Sequence, residues 1–213
     1  MLIHPWDEAS PEEWREVLEA VDFAQLVTAG HVDGYPVVVP THFLYHGDGR
    51  VLLHLARPNP VWRALEQDPH VVLALALDYV YVEAAWNADE GSDPDLGVPT
   101  SYYTALQLRC TAEVVDDPDE KAAILAAQLA HFEPAGSTRT TPGTHIESDR
   151  RQLPGIRGLR LQVREVRAKA KYGGNKTPAH REAIAARLAE RSTGLDGAAR
   201  ARLLGQHPPS ATS

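Results

Sequence analysis

The stretch His54-Leu55-Ala56-Arg57-Pro58-Asn59-Pro60-Val61-Trp62-Arg63-Ala64-Leu65 joins a predicted strand to a predicted short helix. The alternating run that starts at Arg50 is typical of a strand, and positions 61, 62 and 65 give the following segment one apolar face. A helix N-terminus presents free N–H groups and a positive dipole end, and Arg57 adds a fixed charge. The turn is therefore a candidate phosphate site. An ordinary turn with Arg57 in solvent accounts for the same spacing equally well.

Short alternating runs with tight turns between them surround this stretch. The predicted strands are Phe23–Ala29, Tyr35–Tyr45, Arg50–His54, His70–Leu77, Tyr79–Trp86, Ser101–Val115 and Leu159–Val166. Pro40 interrupts the second of these strands, which indicates an edge strand or a bulge. We expect Tyr79–Trp86 to form a hairpin with the run before it. Predicted helices follow Ser10, where Glu13 completes a capping box, and Asp116, and a third covers Pro178–Arg191. Antiparallel strands with few interior helices predict a mainly β (α+β) fold, a barrel or sandwich with helices at its edges.

Composition and charge limit the classes of protein to consider. The chain has 213 residues, 43% of them hydrophobic and 23% charged, as in soluble globular proteins. No apolar run approaches the ~18 residues of a membrane span, and the N-terminus has no signal-peptide pattern. A single cysteine, Cys110, excludes an internal disulfide and fits a reducing compartment. We therefore expect a cytoplasmic protein without a membrane partner.

The net charge of −8 is unevenly distributed along the chain. From Arg164 onward there are ten Lys and Arg against four Asp and Glu, and the rest of the chain carries a net charge of −14. A basic C-terminal third can contact DNA, whereas a solvated helix rich in arginine accounts for the same charge. The acidic remainder of the chain works against DNA affinity, because that affinity comes largely from neutralised phosphates.

Motifs for metal binding and nucleophilic catalysis are missing from the sequence. The ten histidines form no His-x-x-x-His pair on a predicted helix, and the sequence has no Gly-x-Ser-x-Gly elbow, Rossmann glycine pattern or Walker loop. His54 can serve as a hydrogen-bond donor, as an axial ligand to a haem iron, or as a structural residue. Arg57, residues 39–42, residues 101–103 and residues 169–176 together suit a pocket for a flat aromatic ligand that carries a phosphate.

Four segments resemble the PaiB-type family of flavin-binding proteins, which are related to pyridoxamine phosphate oxidases. His54–Trp62 resembles the family signature His-x-Ala-Arg-x-Asn-Pro-x-Trp. Val98-Pro99-Thr100, followed by Tyr103, is similar to Val-Pro-Thr-Trp-Asn-Tyr. Ile156–Leu161 is similar to the Ile-Val-Gly-Phe strand, and Lys169–Lys176 to Lys-Phe-Lys-Leu-Ser-Gln-Asn-Arg. The similarity extends in order from about Trp6 to Arg191.

The resemblance implies an antiparallel split β-barrel with peripheral helices that binds FMN as a homodimer. It further implies flavin redox chemistry. We expect one domain at 1–192 that includes the C-terminal helix, and then, at 193–213, a short helix at Asp196–Leu204 and a disordered Pro/Ser tail from His207. Carried over by position, Arg57 and Asn59 hold the phosphate region and His54 makes a polar contact. Thr28, Pro40 and Thr41 lie near the isoalloxazine ring, and Lys171 and Lys176 complete the site.

Two further functions are implied by members of the family. One is negative transcriptional regulation of the PaiB type, through DNA or a protein partner. The other is a haem-dependent enzyme of the piperazate synthase type, with His54 on the iron. The chain departs from the family pattern at Ser101-Tyr102, in place of Trp-Asn, and at Tyr172-Gly173-Gly174, in place of Leu-Ser-Gln.

Overall fold

Seven strands form one antiparallel sheet in this computed structural model, which describes residues 1–89 and 91–205. The strands are β1 Phe23–Val32, β2 Tyr35–His42, β3 Leu44–Tyr45, β4 Arg50–Ala56, β5 His70–Val82, β6 Thr100–Val115 and β7 Ile156–Lys171. Their order across the sheet is β2-β1-β5-β6-β7-β4-β3, so the sheet is open rather than closed. This arrangement confirms the predicted mainly β, split-barrel class.

Six helices accompany the sheet in the described residues. They are α1 Pro11–Ala20, α2 Val61–Gln67, α3 Pro118–Phe132, α4 Glu147–Gln152, α5 Pro178–Arg191 and α6 Asp196–Leu203. The predicted capping box at α1 is confirmed, because the Ser10 amide donates to the Glu13 carboxylate at 2.6 Å and the Glu13 amide to the Ser10 hydroxyl at 3.3 Å. None of these helices is long and apolar enough to cross a membrane.

Strands β1 and β2 form a ribbon at one edge of the sheet. In β1 the side chains of Ala24, Leu26 and Thr28 are buried, while the residues between them are more exposed, which is the alternation of a strand with one covered face. Val27 lies opposite Val38 on β2 and opposite Val72 on β5. The register with β2 shifts between Val27 and His31, which marks a bulge.

The prediction of a hairpin between His70–Leu77 and Tyr79–Trp86 is wrong. The structure has one continuous strand, β5, which covers the first run and continues into the second as far as Val82. Asp78, the only residue between the two runs, is too short a connection for a hairpin loop, which needs about two residues. Asp78 instead takes a left-handed conformation with φ 56°, and its carboxylate pairs with Arg202 at 3.4 Å.

Two compact units divide the chain, and strands β5, β6 and β7 supply residues to both. The first unit comprises Met1–Ala20, Ala76–Leu106 and the chain from Arg167 onward, and the second comprises Val21–Leu75 and Gln107–Val166. The predicted domain of residues 1–192 stays a prediction. The predicted disordered tail from His207 lies outside the described residues.

Each unit has its own apolar core. In the first unit, helices α5 and α6 pack on β5 and β6, and the buried residues include Val82, Tyr102, Tyr172, Ile184, Leu188 and Leu203. In the second, the buried residues come from β1, β4, β5, β6, β7 and α2, among them Leu26, Leu53, Val61, Leu73, Leu108 and Leu161. Burial of aliphatic and aromatic surface on this scale is the main stabilising term of each unit.

Candidate functional site

The turn between β4 and α2, which carries the most specific motif of the sequence, is closed by its own polar groups. The Asn59 side-chain oxygen accepts the Val61 amide at 3.0 Å, and the Asn59 amide donates to the Ala56 carbonyl at 3.0 Å. The Trp62 indole N–H donates to the same carbonyl at 3.0 Å. These bonds satisfy backbone groups at the start of a helix. Asn commonly has this role in turns and at helix N-termini.

The charge of Arg57 is already compensated within this turn region. Its Nε donates to the Pro154 carbonyl at 2.6 Å, and its Nη2 donates to Asp116 at 3.0 Å. Asp116 also accepts from Arg157, whose guanidinium lies 5.0 Å from the Trp62 ring centroid. The hydrogen bonds from Arg157 first, and then from Arg57, hold the pKa of Asp116 below its usual range. A phosphate on Arg57 would therefore compete with a carboxylate that is already bound.

His54 lies under helix α3 and has a fixed ring orientation. Its Nδ1 is 2.6 Å from Oε1 of Gln128, a side chain only 4% exposed. Because Oε1 is an acceptor, this contact assigns the proton to Nδ1 and leaves Nε2 with a free lone pair. A histidine oriented in this way by an amide oxygen has the arrangement found in metal-binding imidazoles.

The three residues predicted near a flavin ring on the β1–β2 ribbon face in two directions. Thr28 is buried, and its hydroxyl donates to the Gly30 carbonyl at 2.7 Å and accepts the Val37 amide at 2.9 Å, which ties the bulge together. Thr41 is also buried, and its hydroxyl donates to the His42 carbonyl at 3.0 Å. Pro40 is exposed and lies opposite Gln25, on the outward face.

A groove of about 250 Å³ lies on the outward face of β1 and β5 in the second unit. We call it the sheet-face groove. Its apolar residues include Val27, Ala29 and Val72, and its exposed charged residues are Arg109 and Arg164. Thr28 and Cys110 also line it. Burial raises the pKa of the Cys110 thiol to about 12, so Cys110 is a protonated, inert core residue, as the alternating run around it predicts.

The two arginines of the groove are held differently. Arg109 pairs with Glu165 at 2.9 Å. The Nε of Arg164 donates to the Thr111 hydroxyl at 3.2 Å, and within the described residues Arg164 forms no ion pair. Sequence reasoning missed both, because a single arginine in an alternating strand looks like any solvated residue. Only the pairing of distant strands places them beside Val27.

Lys171 and Lys176 lie in the first unit, in a second cavity of about 280 Å³ that we call the lysine pocket. Its wall also includes Trp6, Thr100, Tyr102 and Gly173. Lys171 donates to the Thr100 hydroxyl at 2.7 Å, and Lys176 pairs with Asp89 at 2.7 Å. The predicted site residues are thus distributed over the β4–α2 turn, the β1–β2 ribbon and this pocket. Their roles in binding FMN stay predictions.

Five of the ten Lys and Arg residues in the basic C-terminal third form ion pairs within the described residues. The cations paired with carboxylates there are Lys169 with Asp7, Lys176 with Asp89, Arg187 with Glu190, Arg191 with Asp196 and Arg202 with Asp78. Such pairs reduce the positive field that would attract DNA phosphates. The predicted contact with DNA stays a prediction. The described residues contain no group of three or more His, Cys, Asp or Glu side chains placed to hold a metal ion.

Comparison with known proteins identifies a family. The family described as "Putative FMN-binding domain" matches residues 1–165. Among curated proteins, Protease synthase and sporulation protein PAI 2 of Bacillus subtilis (strain 168) is 27% identical over 128 residues, which is 58% of this chain and 56% of that protein. The chain therefore spans about half the length of the curated relative that it matches.

Solved structures with the same fold include two that bind redox cofactors by their own names. The flavocytochrome Anf3 from Azotobacter vinelandii has a TM-score of 0.59 at 22% identity, over 77% of this chain and 68% of that chain. The FAD and heme binding protein from Mycobacterium smegmatis has a TM-score of 0.59 at 23% identity, over 83% of this chain and 78% of that chain. Identities this low establish the fold alone.

Proposed function

The chain belongs to the FMN-binding domain family that matches residues 1–165, and with that as premise we propose that it binds FMN in the sheet-face groove and acts as a flavin-dependent redox protein. The observation that carries the proposal is the composition of the groove. It combines an apolar surface at Val27, Ala29 and Val72 with guanidinium groups at Arg109 and Arg164. Few polar groups on an apolar surface suit a flat ring system with one charged end.

The phosphate of FMN needs a cation, and Arg164 is the better placed of the two candidates. Arg164 donates to a neutral hydroxyl, whereas Arg57 is bound to the carboxylate of Asp116. A guanidinium can bind phosphate through two parallel N–H groups, and no carboxylate has to be displaced at Arg164. We assign the phosphate to Arg164. The alternative is that Arg57 binds the phosphate, as the family signature predicts, and the experiment below distinguishes the two.

A homodimer completes this proposal. The groove volume of about 250 Å³ lies below the ~300–1,000 Å³ of most small-molecule sites, so one chain covers only part of a flavin. Phe23 and Val38 are about half exposed on the strands beside the groove, at 48% and 54%. An apolar face of this kind is a good contact for a second copy of the chain, and that copy would cover the rest of the ring.

Bound FMN would supply hydride or one-electron chemistry, and the residues of the chain position the flavin and exclude water. Valine and alanine side chains against one face of the ring keep water from that face. The positive charge of Arg109 and Arg164 favours negative charge on the ligand beside them. No side chain of the groove is required to act as a general acid or base for this role.

The test is a titration of the purified protein with FMN and with riboflavin, which lacks the phosphate, read as quenching of flavin fluorescence. We expect Arg164→Met to weaken FMN about 10- to 100-fold and to leave riboflavin unchanged, because one charged hydrogen-bond donor is lost. Ala29→Glu places a carboxylate on the apolar surface and should weaken both ligands. Ala186→Glu, on an exposed position of α5, is the matched control.

Two outcomes of this titration would contradict the proposal or the assignment of the phosphate to Arg164. Absence of FMN binding to the unmodified protein overturns the proposal. If Arg57→Met weakens FMN selectively while Arg164→Met does not, the phosphate belongs to the β4–α2 turn, as the family signature predicts.

Haem binding at His54 is a second candidate, favoured by the contact between His54 and Gln128. That contact leaves Nε2 of the imidazole as the available ligand atom, and the partner amide fixes the ring. Two neighbours in fold are a flavocytochrome and a FAD and heme binding protein by name. Addition of hemin should then produce a Soret band that His54→Ala removes and the exposed-site variant His46→Ala retains. No band in the unmodified protein rules this candidate out.

A further inference from the structure

The lysine pocket lies where the chain departs from the family pattern. Tyr102 and Gly173 belong to the two departing segments, and both line the pocket. The rings of Tyr102 and Tyr172 pack edge to face with centroids 5.9 Å apart. The two segments that depart from the family pattern are therefore in contact within the first unit. Two of the residues that line the lysine pocket thus differ from the family pattern.

The Tyr102 hydroxyl is a buried donor for which the described part of the chain supplies no acceptor. Tyr102 is 1% exposed, and its oxygen has no hydrogen-bond partner among the described residues. Gly173, at φ 68°, leaves room for it, because a Cβ there would lie 2.6 Å from the hydroxyl. Burial raises the pKa of Tyr102 to about 12, so the group keeps its proton. A buried hydroxyl without a hydrogen-bond partner costs free energy unless a ligand accepts a hydrogen bond from it.

One carboxylate and two ammonium groups line the pocket, those of Asp7, Lys171 and Lys176. Lys169 is paired with Asp7 at 3.5 Å, and Lys176 with Asp89 at 2.7 Å. Lys171 forms no ion pair within the described part of the chain, and its ammonium group donates only to the Thr100 hydroxyl. Burial, and then the neighbouring Lys169, lower the pKa of Lys171, as expected of a partly buried ammonium without a carboxylate partner.

The indole ring of Trp6 forms a flat apolar surface in the wall of the lysine pocket. The Trp6 indole is 49% exposed, and the His4 ring stacks on it with centroids 4.8 Å apart and planes 8° apart. Gly174 lets the chain pass close to this segment, because a Cβ there would lie 2.1 Å from the Trp6 carbonyl oxygen. A half-exposed indole in a pocket wall is suited to stack on a planar ring.

We propose that the lysine pocket binds a small planar carboxylate, with Lys171 as the charge partner, the Tyr102 hydroxyl as a hydrogen-bond donor and Trp6 as the stacking surface. The ammonium group of Lys171, which has no carboxylate partner within the described residues, is suited to pair with a ligand carboxylate. Two donors of different kinds, an ammonium and a phenol, can each take one carboxylate oxygen. This site is separate from the flavin groove and goes beyond the proposed binding of FMN.

Calorimetric titration of the full chain with four probes tests the proposal. The probes are benzoate, cyclohexanecarboxylate, benzamide and inorganic phosphate. We expect benzoate to bind one per chain, cyclohexanecarboxylate more weakly because it cannot stack, and benzamide about 10- to 100-fold more weakly because it carries no charge. Tightest binding of phosphate would overturn the assignment to a carboxylate. No binding of any of the four probes would overturn the site.

Substitutions inside and outside the lysine pocket determine where benzoate binds. Lys171→Met and Tyr102→Phe should each lower benzoate affinity, Lys171→Met by about tenfold or more because a charged donor is removed. Arg187→Met, which removes one positive charge from exposed α5, is the matched control and should retain affinity. If Lys171→Met is unstable, Tyr102→Phe alone gives the answer, since it removes only one oxygen atom.

The same variants are titrated with FMN. Loss of FMN affinity in Tyr102→Phe and Lys171→Met would assign the pocket to the flavin and overturn the proposal. Loss of benzoate affinity without a change for FMN supports a second, independent ligand site. A chain that binds no FMN but binds benzoate would overturn the proposed function alone.

Discussion

The β4–α2 turn and the lysine pocket contain similar polar residues and use them in opposite ways. In the turn, Asn59, Trp62 and Arg57 have their hydrogen-bonding groups bound to backbone carbonyls, an amide and a carboxylate of the protein. In the pocket, the Tyr102 hydroxyl has no partner within the described residues and Lys171 has no counter-ion there. The turn carries the most recognisable motif of the chain, yet the groups that are free to bind a ligand lie in the pocket.

The comparison indicates that the β4–α2 turn stabilises the fold, whereas the lysine pocket can bind a ligand. A polar group that is already paired contributes to stability, whereas a buried polar group without a partner is costly and is retained where a ligand supplies the partner. Variants in the turn should therefore affect stability more than binding, and variants in the pocket should do the reverse.

The largest effect is expected for Trp62→Ala in the turn. Trp62 is 5% exposed, donates to the Ala56 carbonyl and packs under the guanidinium of Arg157. Its removal should lower the free energy of unfolding by about 3–5 kcal/mol. Urea denaturation followed by circular dichroism measures the change. Trp6→Ala, at a half-exposed indole of the lysine pocket, is the control and should cost much less. Equal losses at both positions would contradict the comparison.

The second largest effect on stability is expected from a comparison of two tyrosines in the first unit, Tyr172 and Tyr102. The Tyr172 hydroxyl and the Thr104 hydroxyl are 2.9 Å apart and both are buried. Tyr172→Phe leaves Thr104 without this partner and should cost about 1–3 kcal/mol of unfolding free energy. Tyr102→Phe removes a hydroxyl that has no partner, and should leave stability unchanged or raise it by up to about 1 kcal/mol. A loss in Tyr102→Phe equal to that in Tyr172→Phe would mean that the Tyr102 hydroxyl is already paired in solution.

A smaller effect is expected at Asn59. Asn59→Ala removes the acceptor of the Val61 amide at the start of α2 and should cost about 0.5–2 kcal/mol. Asn59→Asp keeps an oxygen at the same place and should recover most of the loss. Thermal unfolding of the three proteins in the absence of FMN measures both changes. If Asn59→Ala leaves stability intact and abolishes FMN binding, Asn59 is a ligand residue rather than part of the turn.

The smallest effect is the pH dependence contributed by Asp116. Its pKa is lowered in the folded protein, so its contribution to stability is complete above the unfolded value of about 3.9 and is lost as the pH falls through the folded value. The side chain is 47% exposed, so solvent screening limits the contribution to less than about 1 kcal/mol. The stability difference between the unmodified protein and Asp116→Asn should therefore be present at pH 7 and should shrink as the pH falls below about 3.9. A difference that does not shrink on acidification would assign it to something other than charge.

Much of the fold could be predicted from local pattern. The capping box at Ser10 and Glu13, the long strand that became β6 and the edge position of Pro40 all follow from residues close together in sequence. The expected break of the second strand at Pro40 occurs instead after His42, because β2 runs on to that residue before a separate strand at Leu44–Tyr45. The hairpin expected after Leu77 failed since a single residue in a left-handed conformation can continue a strand as well as end it.

The sequence by itself determined the strand-rich class, the start of each major helix and membership of a flavin-binding family, because these are recorded in spacing and in contiguous motifs. Only the tertiary structure decided which polar groups are already paired. Arg57 contacts Asp116, 59 positions away, and His54 contacts Gln128, 74 positions away. The Tyr102 hydroxyl lies beside Gly173 and has no acceptor among the residues that the structure describes. Such encounters depend on strand register and helix packing, which no short stretch of sequence specifies.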